Sequence, residues 1–470
     1  MTAASFADLL RLADDPERVA VVDGDVTLTR GELYDRARER AALIERSVPE
    51  DERVALSGTG HEAVVDLVAV LLAGRSLVML PRPTPERTRE LAARSRCRLD
   101  LAAGVLEPFG VEPSTDPRHL PGDGIADTGS PEALLLFTSG TTSEPKGVRL
   151  SARNVACNVT AVDQVVEPWD PDADVLGFVL DPTHSYGFSM VLLALMRSVP
   201  LLMTAGTLPS RPLAELLDRH RVTVLPCVPY YLRLVARRFT LGQDFAPHLR
   251  TLLLAGGGVS DAALAELTSG FDGGTHLMYG LTEATARVAV RPPASAAPAD
   301  SVGLPLPGTT VDLVDEDGHV VTGREGRIRV TGPSVFLGYL GDPVREPGTP
   351  LVTTDLGRMD ARGHLTVTGR LAEMINFRGN RVSAVAVEAD VARVDGVAGA
   401  LLLADDTVED AQCSLFVELA PGVERDGLTR RILAAVEPRG LVREVTVVER
   451  LETTRTGKLV RRRPVPAPEA

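Results

Sequence analysis

Lysine is almost missing from this 470-residue chain: of 50 basic residues only Lys146 and Lys458 are lysine, and every other one is arginine. Tryptophan occurs once. Cysteine occurs four times, at Cys97, Cys157, Cys227 and Cys413, with no C-x-x-C pair. Such spacing argues against a disulfide framework or a cysteine metal site and predicts buried free thiols. There is no basic surplus: the net charge of −14 argues against a nucleic-acid surface and for small-molecule or protein partners. Long apolar runs are lacking too. The most apolar stretch, Met190 to Ala205, is interrupted by Arg197 and falls short of a membrane span. Met1 to Asp14 lacks a basic start followed by an apolar run, so no signal peptide is expected and the chain reads as cytoplasmic.

What is present is an ordinary globular composition, 44% hydrophobic and 24% charged, in a chain too long for one ordinary domain. Thr29-Arg30-Gly31-Glu32 opens an amphipathic helix through Ile44, with Leu33, Ala37, Ala41 and Ile44 at helical spacing. Arg53 to Leu56 reads as a short strand, Glu62 to Leu72 as a helix and Ser76 to Leu80 as a second strand. This order fits a parallel sheet covered by helices. Leu106 to Pro131, rich in Pro, Gly and Asp, reads as a loop.

Strand signals return at Ala133–Leu136, Val175–Leu180, Val222–Leu225 and Thr251–Ala255, with a helix over Leu213–His220. After residue 300 short strands alternate with turns, as in Val311–Val314, Asp315–Gly318 and Arg327–Val330. That pattern predicts a smaller antiparallel barrel or sheet. From about Leu371 the chain carries strand and helix signals of its own. The basic, then Pro-rich tail from Arg461 to Ala470 reads as solvated and disordered.

The two lysines sit in Gly-containing turns, Glu144-Pro145-Lys146-Gly147 and Thr456-Gly457-Lys458. A surface cation can be either lysine or arginine, whereas a compact ammonium on a flexible stem has no guanidinium substitute. Both are therefore candidates for touching phosphate or reacting atoms; chance survival is the plainer alternative. Lys146 closes the sharpest feature of the chain, Phe137-Thr138-Ser139-Gly140-Thr141-Thr142-Ser143-Glu144-Pro145-Lys146-Gly147-Val148. An apolar strand runs into a loop dense in hydroxyls and glycines, which is what a triphosphate needs from backbone and side chain. It is not a Walker loop, because Gly-x-x-x-x-Gly-Lys-Ser/Thr is absent.

That stretch resembles the phosphate-binding loop of the acyl-adenylate-forming superfamily, which includes acyl-CoA synthetases, peptide-synthetase adenylation domains and luciferases. Ser143 stands where the family usually has Gly. Further matches follow in the family's order over almost the whole chain. Tyr279-Gly280-Leu281-Thr282-Glu283 is similar to the adenine and magnesium motif, implying Tyr279 on adenine, Thr282 on the α-phosphate and Glu283 on Mg²⁺. Ala255-Gly256-Gly257-Gly258 resembles the glycine turn beside adenine and the acyl pocket. In Thr353-Thr354-Asp355-Leu356-Gly357 the resemblance implies that Asp355 accepts the ribose hydroxyls, with Arg370 of Gly369-Arg370 near ribose or phosphate.

Thr453-Thr454-Arg455-Thr456-Gly457-Lys458 resembles the mobile catalytic-lysine loop, so Lys458 would bridge the carboxylate and the α-phosphate as negative charge builds between them. The implied fold is α/β. It has a large N-terminal adenylation domain, residues 1–371, of two α/β subdomains plus a barrel-like portion. A small mobile α+β C-terminal domain, residues 372–470, follows. The family's hinge reads Gly-Arg-x-Asp-x-x-Ile-Lys, and here Ala372 and Asn376 replace the Asp and the Lys. Gly379 matches the glycine lining the family's pantetheine tunnel, which favours a thiol acceptor.

Asp181-Pro182-Thr183-His184-Ser185-Tyr186-Gly187-Phe188 resembles the acyl-CoA synthetase motif Pro-x-Phe-His-Ser-x-Gly, implying that His184 gates or contacts the carboxylate. Amino-acid-activating members carry Asp where this chain has Ser185, so an α-amino acid is disfavoured, though Asp181 lies close by. With Gly257 and Gly280, these residues make up the expected acyl pocket. The resemblance implies ATP and Mg²⁺, a small carboxylic acid, and CoA or the phosphopantetheine of a carrier protein acting in trans. Transfer to a nitrogen nucleophile and stand-alone amino-acid adenylation are the alternatives. A pseudoenzyme is disfavoured because Lys146, Glu283 and Lys458 are all present.

Overall fold

The computed structural model describes residues 10, 14–50, 52–56, 60–80, 85–97, 99–102, 105–108, 132–138, 145–166, 169–204, 207–371, 374–377, 380–404, 413–420, 422–423, 427–436, 438–453 and 459–464. The first long helix, Arg30–Ser47, begins as its sequence dictates. Thr29 Oγ1 accepts from the Glu32 N–H at 3.2 Å and Glu32 Oε2 accepts from the Thr29 N–H at 2.9 Å, closing a capping box. Its Leu33, Ala37, Ala41 and Ile44 stripe is buried.

Two large sheets carry the N-terminal region. The nine-stranded sheet runs in the order Leu304–Pro305, Ala289–Arg291, Gly274–Tyr279, Thr251–Leu254, Val224–Cys227, Leu176–Phe178, Leu201–Met203, Val19–Asp23, Val26–Thr29. Its six central strands pair in parallel, and only the edges are antiparallel. Parallel strands buried on both faces read as unbroken apolar runs, which is why Thr251–Leu254 and Val224–Cys227 show no alternation.

The seven-stranded sheet runs Gly338–Tyr339, Gly147–Ser151, Glu132–Phe137, Ser76–Met79, Arg53–Leu56, Leu99–Ala102, Val105–Pro108. Its centre is parallel and its outer pairs are antiparallel. A four-stranded antiparallel sheet follows, Thr310–Val314, Gly326–Thr331, Leu351–Met359 and Leu365–Arg370, where the turn-rich pattern predicts one.

Beyond residue 371 a three-stranded sheet, Val397–Ala404, Cys413–Leu419 and Val442–Val448, packs with helices Ala384–Ala392 and Leu428–Ala435. Their apolar side chains form a cluster of their own, including Ile375, Val391, Leu415 and Ile432. All four cysteines are free, with Cys97, Cys227 and Cys413 buried and Cys157 half-buried. Among the described residues no helix is long and apolar enough to cross a membrane.

Two expectations need correction. Leu106–Pro108 is not loop: Val105–Pro108 pairs antiparallel with Leu99–Ala102, because the hairpin lets the outermost strand bond despite Pro108 at its end. Nor is the whole tail solvated from Arg461 onward. The Arg461 guanidinium is mostly buried and pairs with Glu388 at 3.0 Å, Glu388 being a buried carboxylate on the helix Ala384–Ala392.

Candidate active site

The candidate loops follow interior strands of the two large sheets. Thr138 follows Glu132–Phe137; His184 and Ser185 come after Leu176–Phe178; Gly257 follows Thr251–Leu254; and Gly280 follows Gly274–Tyr279. All four of these strands lie in parallel ladders, and the loops leave their carboxyl ends. That is where α/β sheets open a crevice for ligands.

The hydroxyl-rich loop grows out of an antiparallel pair. Phe137 faces Gly147, and the Thr138 N–H donates to the Lys146 carbonyl at 3.0 Å. Ser139, Gly140, Thr141 and Thr142 lie outside the described residues, as do Gly379, Ala372 and Lys458. On either side of the Lys458 segment, Thr453 and Leu459 face each other in an antiparallel bridge.

The opposite end of that strand pair, where Glu132 faces Ser151, is fixed by a buried charge cluster. Glu132 accepts from Arg53 at 2.7 and 3.0 Å, from Arg149 at 2.9 Å and from Ser76 at 2.5 Å. Burial alone would raise the Glu132 pKa, but the two guanidiniums and the Ser76 hydroxyl outweigh it and hold it at about 2.

Three contacts join the motif residues. In the first, Asp355 and Arg370 are cross-strand partners, and Arg370 Nε donates to Asp355 Oδ1 at 2.6 Å. The Tyr279 hydroxyl donates to Asp355 Oδ2 at 2.6 Å, which ties the nine-stranded sheet to the four-stranded one. Burial and the neighbouring carboxylate both push the Tyr279 pKa up, so the phenol stays a donor. Asp355 retains spare lone pairs for further donors, which fits a diol.

In the second contact, Glu283 Oε1 accepts from the Tyr339 hydroxyl at 2.9 Å, and Lys146 Nζ lies 5.0 Å from the centre of the Tyr339 ring. The second oxygen of Glu283 suits a hard divalent cation, which prefers carboxylate ligands. Another acidic group, Asp315, Asp317 and His319, lies on a turn of the four-stranded sheet and takes no part in these contacts.

The third contact brings Ser185 Oγ within 3.4 Å of Thr282 Oγ1, joining the expected acyl pocket to the expected phosphate contact. Thr282 opens a short 3-10 turn to Ala284, and that turn depends on Gly280. A Cβ there would lie 1.8 Å from the Ala286 carbonyl oxygen. Gly256 is likewise required, at φ +86°, to turn the chain ahead of exposed Gly257. Asp181 is engaged locally: Oδ1 accepts from the Thr183 N–H and hydroxyl at 2.9 and 2.7 Å, and Oδ2 lies 4.0 Å from His184 Nε2.

Sequence reasoning missed two residues at this site, Tyr339 and Arg287. Tyr339 joins Lys146 to Glu283 from a two-residue strand with no pattern to mark it. Arg287 is buried with its guanidinium 4.4 Å from the centre of the Tyr186 ring. In a chain where nearly every basic residue is arginine, one more carries no signal.

Comparison with known proteins bears on this constellation. The family model of AMP-binding enzymes matches residues 10–340. The chain is 31% identical, over 95% of its length, to the phosphinothricin tripeptide synthetase PhsC of Streptomyces viridochromogenes, of which it spans 43%. Over 70% of its length it is 32% identical to the L-proline–[L-prolyl-carrier protein] ligase of Streptomyces coelicolor, of which it spans 65%. It is 30% identical to the feruloyl-CoA synthase of an Amycolatopsis species, with 95% of each chain covered. In three dimensions it resembles the anthranilate CoA ligase AuaEII solved with anthranoyl-AMP. The TM-score is 0.82 at 18% identity, over 98% of both chains, a likeness of fold.

Proposed function

We propose, from the premise that this chain belongs to the AMP-binding enzyme family of acyl-adenylate-forming ligases, that it activates a small carboxylic acid with ATP and Mg²⁺, releases pyrophosphate, and passes the acyl group to a thiol. The observation that carries this reading is the meeting of Ser185 with Thr282, beside the Tyr279–Asp355–Arg370 and Glu283–Tyr339–Lys146 contacts. An acid held against Ser185 and a phosphate held against Thr282 would lie within reacting distance, the positioning that lowers a two-reactant barrier most. Thr138 to Thr142 and Lys146 would cradle the triphosphate, Glu283 would hold the cation, and Asp355 with Arg370 would take the ribose. Lys458 would neutralise charge as carboxylate meets α-phosphate.

The same reading divides the chain into an adenylation domain, 1–371, and a mobile C-terminal domain, 372–470. Gly379 supports a pantetheine thiol as acceptor, from CoA or from a carrier protein. Ser185 and the engaged Asp181 carboxylate support an acid without an α-amino group. A buried ammonium with no carboxylate free to pair with it would cost several kcal/mol.

The test is ATP–pyrophosphate exchange over aliphatic, aryl and amino acids, followed by CoA, a phosphopantetheinylated carrier or an amine added to the purified adenylate. Exchange with a non-amino acid and thioester release are expected. Amide formed faster than thioester would replace the thiol with nitrogen, and no exchange with any acid would overturn adenylation.

A further inference from the structure

Tyr339 touches both charged residues at the expected phosphate end of the site. Its hydroxyl donates to Glu283 Oε1 at 2.9 Å, and the centre of its ring lies 5.0 Å from Lys146 Nζ. An aromatic ring is electron-rich on its face and electron-poor at its edge, and a phenol adds a donor at one end. One neutral side chain therefore holds an anion and a cation at once, without neutralising either. Burial and the Glu283 carboxylate both push the Tyr339 pKa up, so the phenol stays protonated and keeps donating.

The backbone around Tyr339 is a strap made fast at both ends. The Phe336 N–H donates to the Glu283 carbonyl at 2.9 Å, and the Leu340 N–H donates to the Gly147 carbonyl at 2.7 Å. Between them Gly338 and Tyr339 pair antiparallel with Arg149 and Val148, two and three residues after Lys146. The buried Phe336 ring meets the Tyr339 ring edge-on, with centres 4.9 Å apart and planes at 70°, which fixes the phenol's direction. With Oε1 engaged by that phenol, Oε2 is the Glu283 oxygen left for a hard cation. Without the phenol the two charges could meet. Lys146 is a compact cation on a flexible stem, and a direct ion pair with Glu283 would occupy both groups with each other.

We propose that Tyr339 is a positioning residue that keeps Glu283 and Lys146 apart, reserving the carboxylate for a divalent cation and the ammonium for the ATP triphosphate. The inference rests on the adenylation reading, which gives Glu283 the cation and Lys146 the phosphates. Tyr339 acts through these two residues and takes no part in the chemistry. Its hydroxyl then governs the metal, and its ring face governs the nucleotide.

The experiment measures ATP binding by calorimetry, with no acid present, in EDTA and in excess Mg²⁺, for wild type, Tyr339→Phe and Tyr339→Leu. Wild type should bind ATP more tightly with Mg²⁺. Tyr339→Phe keeps the ring and loses the hydroxyl. Its affinity in EDTA should stay within about twofold of wild type, while the gain from Mg²⁺ falls about tenfold, as for a lost hydrogen bond to a charged acceptor. Tyr339→Leu should lose that gain and also bind ATP about threefold more weakly in EDTA, because the ring face is gone. In a Glu283→Ala background, Tyr339→Phe should change nothing further, since the hydroxyl acts through the carboxylate alone. A wild-type Mg²⁺ gain in Tyr339→Phe, equal losses with and without Mg²⁺, or full additivity with Glu283→Ala would make Tyr339 structural and overturn the inference alone. A wild type that binds no ATP overturns the adenylation reading and the inference with it. Should Tyr339→Leu fail to fold, Tyr339→Phe and its Glu283→Ala cycle decide.

Discussion

Glu132→Gln should destabilise the N-terminal region by about 3–5 kcal/mol at neutral pH, the usual cost of breaking a buried ion pair from one side. The carboxylate accepts four hydrogen bonds, from Arg53 Nε and Nη2, Arg149 Nε and Ser76 Oγ, and all four residues are buried. Glutamine keeps the volume but removes the charge and one acceptor oxygen, leaving two buried guanidiniums without their carboxylate. Linkage gives the same size by another route. A folded pKa of about 2 against an ordinary 4.5, at 1.36 kcal/mol per pH unit, corresponds to about 3 kcal/mol. The sign follows from the depressed folded value: this stability is present above pH 4.5 and is lost as pH falls from 4.5 towards 2.

Trp169, the one tryptophan, is buried in the same apolar cluster as Leu134, Leu136 and Leu150, so its fluorescence in urea reads the right region. Wild type should lose stability steeply below pH 4.5, and Glu132→Gln should start lower and show a shallower acid limb. A neutral-pH loss below about 1 kcal/mol, or identical acid limbs, would mean that Glu132 is not the charge partner holding Arg53 and Arg149.

The reaction itself supplies the other tests. Gly280→Ala would place a methyl 1.8 Å from the Ala286 carbonyl oxygen and 2.7 Å from the Arg287 Cα, both backbone atoms unable to yield cheaply. Pyrophosphate exchange should fall at least about 100-fold with Trp169 fluorescence still native. Lys458→Ala should slow pyrophosphate release by about 100-fold or more, and Lys458→Arg should not restore it, because a guanidinium presents a fork where a point charge is needed. Near-wild-type release in either variant would remove that lysine from the chemistry. Ser185→Asp should shrink or reverse the preference for an acid over its α-amino analogue, read as a ratio of kcat/KM values; an unchanged ratio would misplace the acyl pocket.

Local rules were legible in the sequence. The Thr29–Glu32 capping box, the Leu33–Ile44 stripe and the apolar strands need only neighbours within a few residues, and the structure has them. Motif order also carried far: Tyr279, Asp355 and Arg370, separated by up to 91 positions, meet in one hydrogen-bonded set. What stayed hidden depends on partners distant in sequence and unmarked by pattern. Val105–Pro108 is a strand because Leu99–Ala102 offers it an edge, not because of its own composition. Arg461 is mostly buried because Glu388 awaits it 73 residues upstream. Tyr339 and Arg287 look like any tyrosine and any arginine until the sheets bring Glu283 and Tyr186 beside them.

An acyl-adenylate forms when the acid's carboxylate attacks the α-phosphate, so one of the acid's own oxygens must leave with AMP. The best substrate from the exchange screen, labelled with ¹⁸O in its carboxylate, is turned over with ATP and a thiol acceptor, and the phosphorus products are weighed by mass spectrometry. Attack of the carboxylate on the α-phosphate, followed by acyl transfer, predicts one labelled oxygen in AMP and none in pyrophosphate. Label in inorganic phosphate, with ADP as the nucleotide product, would mean an acyl phosphate and would contradict the account.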